Sequence, residues 1–281
     1  MNGKTVVMTG ATSGIGQAAA LALAGRGARI VFTARDAEKA QTTRARLVRA
    51  NPDAAHDFVL ADLTGLAEMR AAGEALRAKA PRIDVLVNNA GAIFQSRELT
   101  VDGLEKTFAV DHMAYFVITE RLWTALNPGA RIVSTASVAH TAGRLDFDDL
   151  PMSRGFSAFA AYGRAKLCNI LWTRELARRL EAREVTANCF HPGGVNTGFG
   201  DNMTGLAKSA FGLIKRFMLT PEQGADTLIW LAASPEAEGL TGGYFAKRKR
   251  VEPSAAARDD VAAARLWTVS EQLAGAPAAS A

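Results

Sequence analysis

Tyr162-Gly163-Arg164-Ala165-Lys166 sets a phenol and an ammonium at positions i and i+4. On a helix these lie on one face, one turn apart. An ammonium beside a phenol stabilises the phenolate and draws its pKa down from about 10. Such a tyrosine can pass a proton to or from a carbonyl oxygen. Alone, the pair is a common surface feature; its company gives it meaning. Ser137 follows the apolar run Arg131 to Thr135 (RIVST), where its hydroxyl can bond a substrate oxygen. His191-Pro192-Gly193-Gly194 follows a second run, Val185 to Phe190, and demands a sharp turn.

A second group of residues suits a nucleotide. TGATSGIG places Gly10, Gly14 and Gly16 around Thr12, Ser13 and Ile15, between a strand-like and a helix-like segment. Glycine allows a tight turn and close approach to a pyrophosphate, and a helix N-terminus offers free N–H groups. The spacing is G-x-x-x-G-x-G; the plain alternative is a helix start that merely needs a turn. After the next apolar run comes Thr33-Ala34-Arg35-Asp36. An acid there would bond a ribose 2′-OH, but that position falls on Ala34, and the Arg35 guanidinium suits a 2′-phosphate. NADP is therefore preferred; NAD stays open, with Asp36 as the acid if the register shifts by two. Asp62-Leu63 fits an adenine contact, although an Asp opening a helix is equally an N-cap. In Asn88-Asn89-Ala90-Gly91 the side-chain amides can tie strands together while Ala90 and Gly91 admit a ribose; a plain turn is the alternative.

These motifs need elements to carry them. Strand-like runs fall at Thr5 to Thr9, Arg29 to Thr33, His56 to Ala61, Asp84 to Val87, Arg131 to Thr135 and Val185 to Phe190. Helix-like segments alternate with them: Ile15 to Ala24, Asp36 to Ala50, Leu66 to Ala80, roughly Gly103 to Leu126, and Ala160 to Glu181. Strict βα alternation with short, continuous apolar strands predicts an α/β fold, a doubly wound parallel sheet of about seven strands with helices on both faces. The motifs then share the carboxyl ends of the strands, where ligands bind in open α/β sheets.

Composition narrows the class. The chain has 281 residues, 48% apolar and 22% charged, which excludes disorder, collagen and coiled coil for the whole. Lys+Arg 33 against Asp+Glu 28 gives +5, too weak to imply nucleic acid. Cys168 and Cys189 read as small buried residues in a reducing compartment. No apolar run reaches the roughly 20 residues of a membrane span, and MNGKTVVMTG is no signal peptide; a cytoplasmic address is expected. His56, His112 and His140 make no metal spacing, and His191 reads as a turn residue. Lys247-Arg248-Lys249-Arg250 reads as a solvated loop.

With TGATSGIG, NNAG, the serine after IVSTA, YGRAK and HPGGVNTG in order, the chain resembles the short-chain dehydrogenase/reductase family from Lys4 to about Gly275. The resemblance implies one Rossmann domain over residues 1–281. It implies Tyr162 as general acid/base, Lys166 as the lysine that lowers the phenol's pKa and holds the nicotinamide ribose, and Ser137 as the group polarising a substrate carbonyl. Hydride would pass between nicotinamide and a carbonyl or alcohol carbon. Pro192, Gly193, Val195 and Thr197 join the cofactor contacts. Arg144 to Ser157 resembles an insertion of retinol dehydrogenase-like and WW-domain oxidoreductase-like members. A C-terminal extension from about 247 looks like theirs, without their N-terminal membrane anchor. The stretch 195–220, with Phe199, Met203, Leu206, Phe211, Leu213, Ile214, Phe217 and Met218, corresponds to a substrate lid. It can line a lipophilic pocket or pack on core or partner; a homodimer or homotetramer stays open. The family usually carries Asn where this chain has Asp111, in Val110-Asp111-His112. Asp111 joins the catalytic candidates, expected to pair with Lys166 directly or through water, and Asp111→Asn is expected to keep or raise activity.

Overall fold

Thr5–Met8 (TVVM) is β-branched and apolar, favours a pleated buried position, and forms the central strand β1. The computed structural model describes residues 1–194 and 219–275. After β1 (Thr5–Met8) come α1 (Gly14–Ala24), β2 (Arg29–Ala34), α2 (Ala37–Ala50), β3 (Asp57–Leu60), α3 (Leu66–Lys79) and β4 (Ile83–Asn88). The chain continues through α4 (Lys106–Phe108), α5 (Ala114–Leu122), β5 (Leu126–Thr135), α6 (Ala158–Arg179), β6 (Thr186–Phe190), α7 (Pro221–Ala233), β7 (Tyr244–Ala246), β8 (Lys249–Arg250) and α8 (Asp260–Ala274). The sheet runs β3-β2-β1-β4-β5-β6-β7-β8, parallel except for the β7–β8 pair. Strand order reverses between β1 and β4, which opens a crevice at their carboxyl ends.

Alternation along each strand builds two cores. Val6 and Met8 join Ile30, Phe32, Val87 and Val133 on one face, under α1, α2 and α7. Val7, Val31, Leu86 and Ile132 join the other, under α3, α5, α6 and α8. Each side chain so buried contributes about 1.5–3 kcal/mol.

The expected elements differ from the observed ones in four places, each with a cause. An eighth strand arises because the basic stretch folds back as a hairpin: Lys247 and Arg248 adopt φ of 51° and 60°, the left-handed values of a two-residue turn. Arg248 is tied down by its ion pair with Asp226 on α7, so the stretch is no free loop. The continuous helix expected from Gly103 to Leu126 is broken. α4 is followed by a π turn, Ala109–Met113, before α5 begins. Buried Glu105 caps α4, its carboxylate accepting from Thr107 N at 2.8 Å and Phe108 N at 2.9 Å. Third, β5 starts at Leu126, which pairs with Ile83 across an irregularity. Fourth, Asp62 is not the cap of α3. Gly65 holds that position, Asp102 Oδ2 accepts from Leu66 N at 2.8 Å, and Asp62 Oδ1 accepts from Thr64 N within its own turn.

Among the described residues, no helix is long and apolar enough to cross a membrane. Val195, Thr197, the expected lid up to Met218 with its apolar side chains, and the tail from Ala276 lie outside the described residues.

Candidate active site

The glycine turn is shaped by contact. A Cβ on Gly16 would collide with the Gly10 carbonyl oxygen, and one on Gly10 would come 2.8 Å from Ala90 Cα. Only bare backbone lets the first turn of α1 and the end of β4 sit this close. Gly10 also takes a φ of 69°. Ser13 stands at the N-cap of α1 without a capping side-chain bond. The helix therefore begins with amides free for an anion. Thr12 is held by Gln17, whose Nε2 donates to its carbonyl at 3.1 Å.

The NNAG turn ties three strands at this edge. Thr9 Oγ1 accepts from Asn89 N and Ala90 N, both at 3.0 Å. Asn89 Nδ2 donates to Gly10 O at 3.0 Å, and its Oδ1 accepts from Thr135 Oγ1 at 3.0 Å. β1, β4 and β5 are thus cross-linked where a dinucleotide would cross them. Arg35 is exposed directly after β2, beyond buried Ala34. Asp36 accepts from Lys39 N at 2.9 Å as the cap of α2, which occupies the acid considered as an alternative ribose ligand. Cradle, helix end and guanidinium together fit a phosphate-bearing dinucleotide.

Ser137, Tyr162, Lys166 and Asp111 come together at the carboxyl ends of β4 and β5. Ser137 begins a 3-10 turn, Val138–Ala142, its Oγ accepting from Ala139 N at 3.2 Å. That turn lies directly on α6. A Cβ on Gly163 would meet Ala139 O at 2.7 Å, so the glycine inside YGRAK is what lets Ser137 reach Tyr162. On α6 the Lys166 ammonium lies 5.2 Å from the Tyr162 ring centre and 5.7 Å from that of Tyr115. Lys166 Nζ stands 2.9 Å from Asp111 Oδ2 and donates to Thr135 O at 3.4 Å. The pairing with Asp111 is therefore direct. The other carboxylate oxygen, Asp111 Oδ1, accepts from Ala92 N at 2.7 Å, and Gly91 leaves room for it, since a Cβ there would lie 2.9 Å from Oδ2.

Charges in the cluster oppose one another. Burial alone would lower Lys166; the Asp111 carboxylate outweighs it, and the ammonium stays protonated well above the ordinary lysine range. Burial likewise pushes Asp111 upward. The Lys166 ammonium beside Oδ2 and the Ala92 amide on Oδ1 pull it back toward the carboxylate. For Tyr162, burial raises the phenol pKa, Lys166 pulls it down, Asp111 pushes it up again, and Ser137 lowers it. The net shift is upward, burial being its largest cause and Asp111 adding to it.

Several positioning residues escape a sequence reading. Asn169, one turn beyond Lys166, donates through Nδ2 to Asp111 O at 2.9 Å and Thr135 O at 3.3 Å. Its Oδ1 faces His112 Nδ1 at 3.3 Å, and His112 Nε2 faces Ser270 Oγ of α8 at 3.1 Å. Since Asn169 Oδ1 can only accept, His112 carries its proton on Nδ1 and accepts from Ser270. Burial lowers the His112 pKa to about 4. His140, grouped with the scattered histidines, joins Ser137 O at 2.7 Å to the C-terminal segment, where its Nε2 accepts from Ser254 N at 3.1 Å. Arg164 pairs with buried Glu105 at 3.1 Å and donates to Leu150 O at 2.6 Å, fastening α4 and the 144–157 stretch to α6. The spacing Lys166/Asn169 on one helix face was the only sequence signal for any of these. His191 is a turn residue as expected: its Nδ1 accepts from Val138 N at 3.3 Å. Pro192 and Gly193 follow β6 at the same edge, Gly193 with a φ of 88°. Asp62 is exposed and Leu63 buried, just past β3. Among the described residues no cluster could hold a metal.

The chain is similar to known proteins. Residues 4–205 match the short chain dehydrogenase family. DnrU of Streptomyces sp. (strain C5), named as a daunorubicin C-13 ketoreductase, is 43% identical over 275 residues, 97% of this chain and 93% of that one. Retinol dehydrogenase 14 of Homo sapiens is 40% identical over 294 residues, 98% and 87% of the two chains. A short chain dehydrogenase of Burkholderia cenocepacia J2315, solved with NADP, superposes with a TM-score of 0.71 at 27% identity, covering 87% of this chain and 96% of that one.

Proposed function

The chain belongs to the short chain dehydrogenase family, among its retinol dehydrogenase-like members, and is a nicotinamide-dependent oxidoreductase; from that premise we propose that it is an NADP(H)-preferring carbonyl reductase acting on a lipophilic ketone or aldehyde. The observation that carries the reaction is the seating of Tyr162 between Ser137 and the Lys166 ammonium. When bound, the nicotinamide supplies the hydride for the carbonyl carbon. Ser137 orients the carbonyl oxygen, and the Tyr162 hydroxyl gives it a proton. Lys166, held charged by Asp111, is placed to bind the nicotinamide ribose. The glycine turn and the open end of α1 hold the pyrophosphate; Asp62, Leu63, Asn89, Ala90, Gly91, Pro192 and Gly193 frame the rest of the dinucleotide.

The preference for NADP rests on Arg35, exposed and with no acid at Ala34, and agrees with the Burkholderia cenocepacia relative solved with NADP. A lipophilic substrate is supported by Val138 (54% exposed) and Phe159 (60% exposed), apolar surface next to Ser137 and one turn before Tyr162. Free, buried Cys168 and Cys189 suit a reducing, cytoplasmic setting. The test is oxidation of NADPH and NADH across a panel of aromatic and aliphatic carbonyls, with Tyr162→Phe beside the native enzyme. NADPH should be favoured, and Tyr162→Phe should lose at least about a hundredfold in turnover while still binding cofactor. NADH preference would overturn the role of Arg35, and full activity of Tyr162→Phe would overturn the mechanism.

A further inference from the structure

The buried carboxylate of Asp111 sits where it must affect the proton donor. It is fully buried, in direct contact with Lys166, and lies on the π turn packed against α6. With a neutral side chain in place of Asp111, the lysine's charge would act on the tyrosine without an opposing charge beside it. Here the ammonium and carboxylate form a pair whose net charge is zero, and the field that would stabilise a phenolate is cancelled close to its source.

We propose that Asp111 is a pH-setting residue. By neutralising Lys166 it keeps Tyr162 a phenol through neutral and moderately alkaline pH, so the site stays in its proton-donating form over a wider range. The inference rests on Tyr162 being the acid of carbonyl reduction. In that reaction one hydride reaches the carbonyl carbon from the reduced cofactor, and one proton reaches the oxygen from Tyr162; oxidation of the alcohol returns both. Reduction therefore needs the phenol and oxidation the phenolate.

Burial is the largest upward push on Tyr162; among the surrounding charges the assignment falls to Asp111. From α6 itself come Lys166 and Arg164, the latter neutralised by Glu105. From the π turn comes His112, neutral by burial; from α5, Tyr115, whose phenol burial raises. From β7 comes Tyr244, also raised by burial. His140 and His191, from the Ser137 turn and the end of β6, have pKa values that burial lowers. None of these carries an uncompensated negative charge at neutral pH. Asp111 is the described carboxylate in contact with the lysine on which the phenolate depends.

The chain has three tyrosines, so the phenol can be titrated directly in the cofactor-free enzyme by tyrosinate absorbance, the Tyr162 step being the one missing from Tyr162→Phe. Asp111→Asn keeps the acceptor for Ala92 N and removes only the charge; Asp111→Ser makes the same charge change should the first variant fold poorly. Either should lower the Tyr162 midpoint by about one pH unit or more, the scale expected for a charge a few ångströms away. The alkaline limb of the reduction profile and the acid limb of the oxidation profile should move down with it. An unmoved Tyr162 midpoint in a folded variant overturns the proposal. Failure of the underlying reading shows separately, as Tyr162→Phe retaining full turnover.

Discussion

At the scale of single residues, chemistry was legible wherever type and spacing were enough. Tyr162 and Lys166 announce themselves four apart, and Gly10, Gly14 and Gly16 announce a turn. Asp111 stood out only because its neighbours resemble a family pattern that it breaks. Arg35 is the residue whose role can be tested most cleanly, because its guanidinium is exposed and Asp36 is engaged at its own helix cap. On the proposed NADP reading, Arg35→Ala would remove charge-assisted bonds to a 2′-phosphate, worth about 1.5–3 kcal/mol. KM for NADPH should rise roughly 10- to 100-fold while KM for NADH stays nearly constant, as steady-state kinetics with both cofactors will report. An equal loss with both would assign Arg35 to something other than the phosphate.

At the scale of elements, sequence periodicity located the strands of the crevice but not the joints that aim the side chains. The helix expected from Gly103 to Leu126 is the clearest example. Apolar periodicity continues through it, yet the chain inserts a π turn at Asp111, because partners distant in sequence fix it there: Asn169 on the Asp111 carbonyl and Arg164 on Glu105. Buried polar pairings between separate elements leave no local pattern, which is why the roles of Asn169, Glu105 and Arg164 are not legible in the sequence and His112 reads there only as a scattered histidine. The contact between Gly163 and the Ser137 turn is of the same kind. Gly163→Ala adds a methyl group 2.7 Å from Ala139 O. The turn must back away from α6, at a cost of about 1–3 kcal/mol, and Ser137 moves off Tyr162. Turnover should fall at least about tenfold with KM for the cofactor little changed; a loss of cofactor affinity instead would place the strain in the nucleotide half of the crevice.

At the scale of the whole molecule, the C-terminal helix α8 is joined to the π turn and α6 through a buried histidine, and this makes the fold sensitive to acid. All four histidines are shifted the same way: burial lowers the pKa of His56, His112, His140 and His191. His112 is the extreme case, falling from 6.5 to about 4, between Asn169 of α6 and Ser270 of α8. Between these two values the unfolded chain binds a proton that the folded chain does not, so stability rises with pH across the window and is lost as pH falls from 6.5 through about 4. His112 alone should account for up to about 3 kcal/mol of that loss. Urea unfolding followed at pH 7.5, 6, 5 and 4.5 should show a midpoint that drops steadily below 6.5. His112→Gln, which keeps a donor for Asn169 and an acceptor for Ser270 without titrating, should flatten the steepest part. A native midpoint unchanged down to pH 4.5 would mean that the buried imidazoles gain water on protonation without opening the fold, and that α8 is not fastened to the π turn through His112.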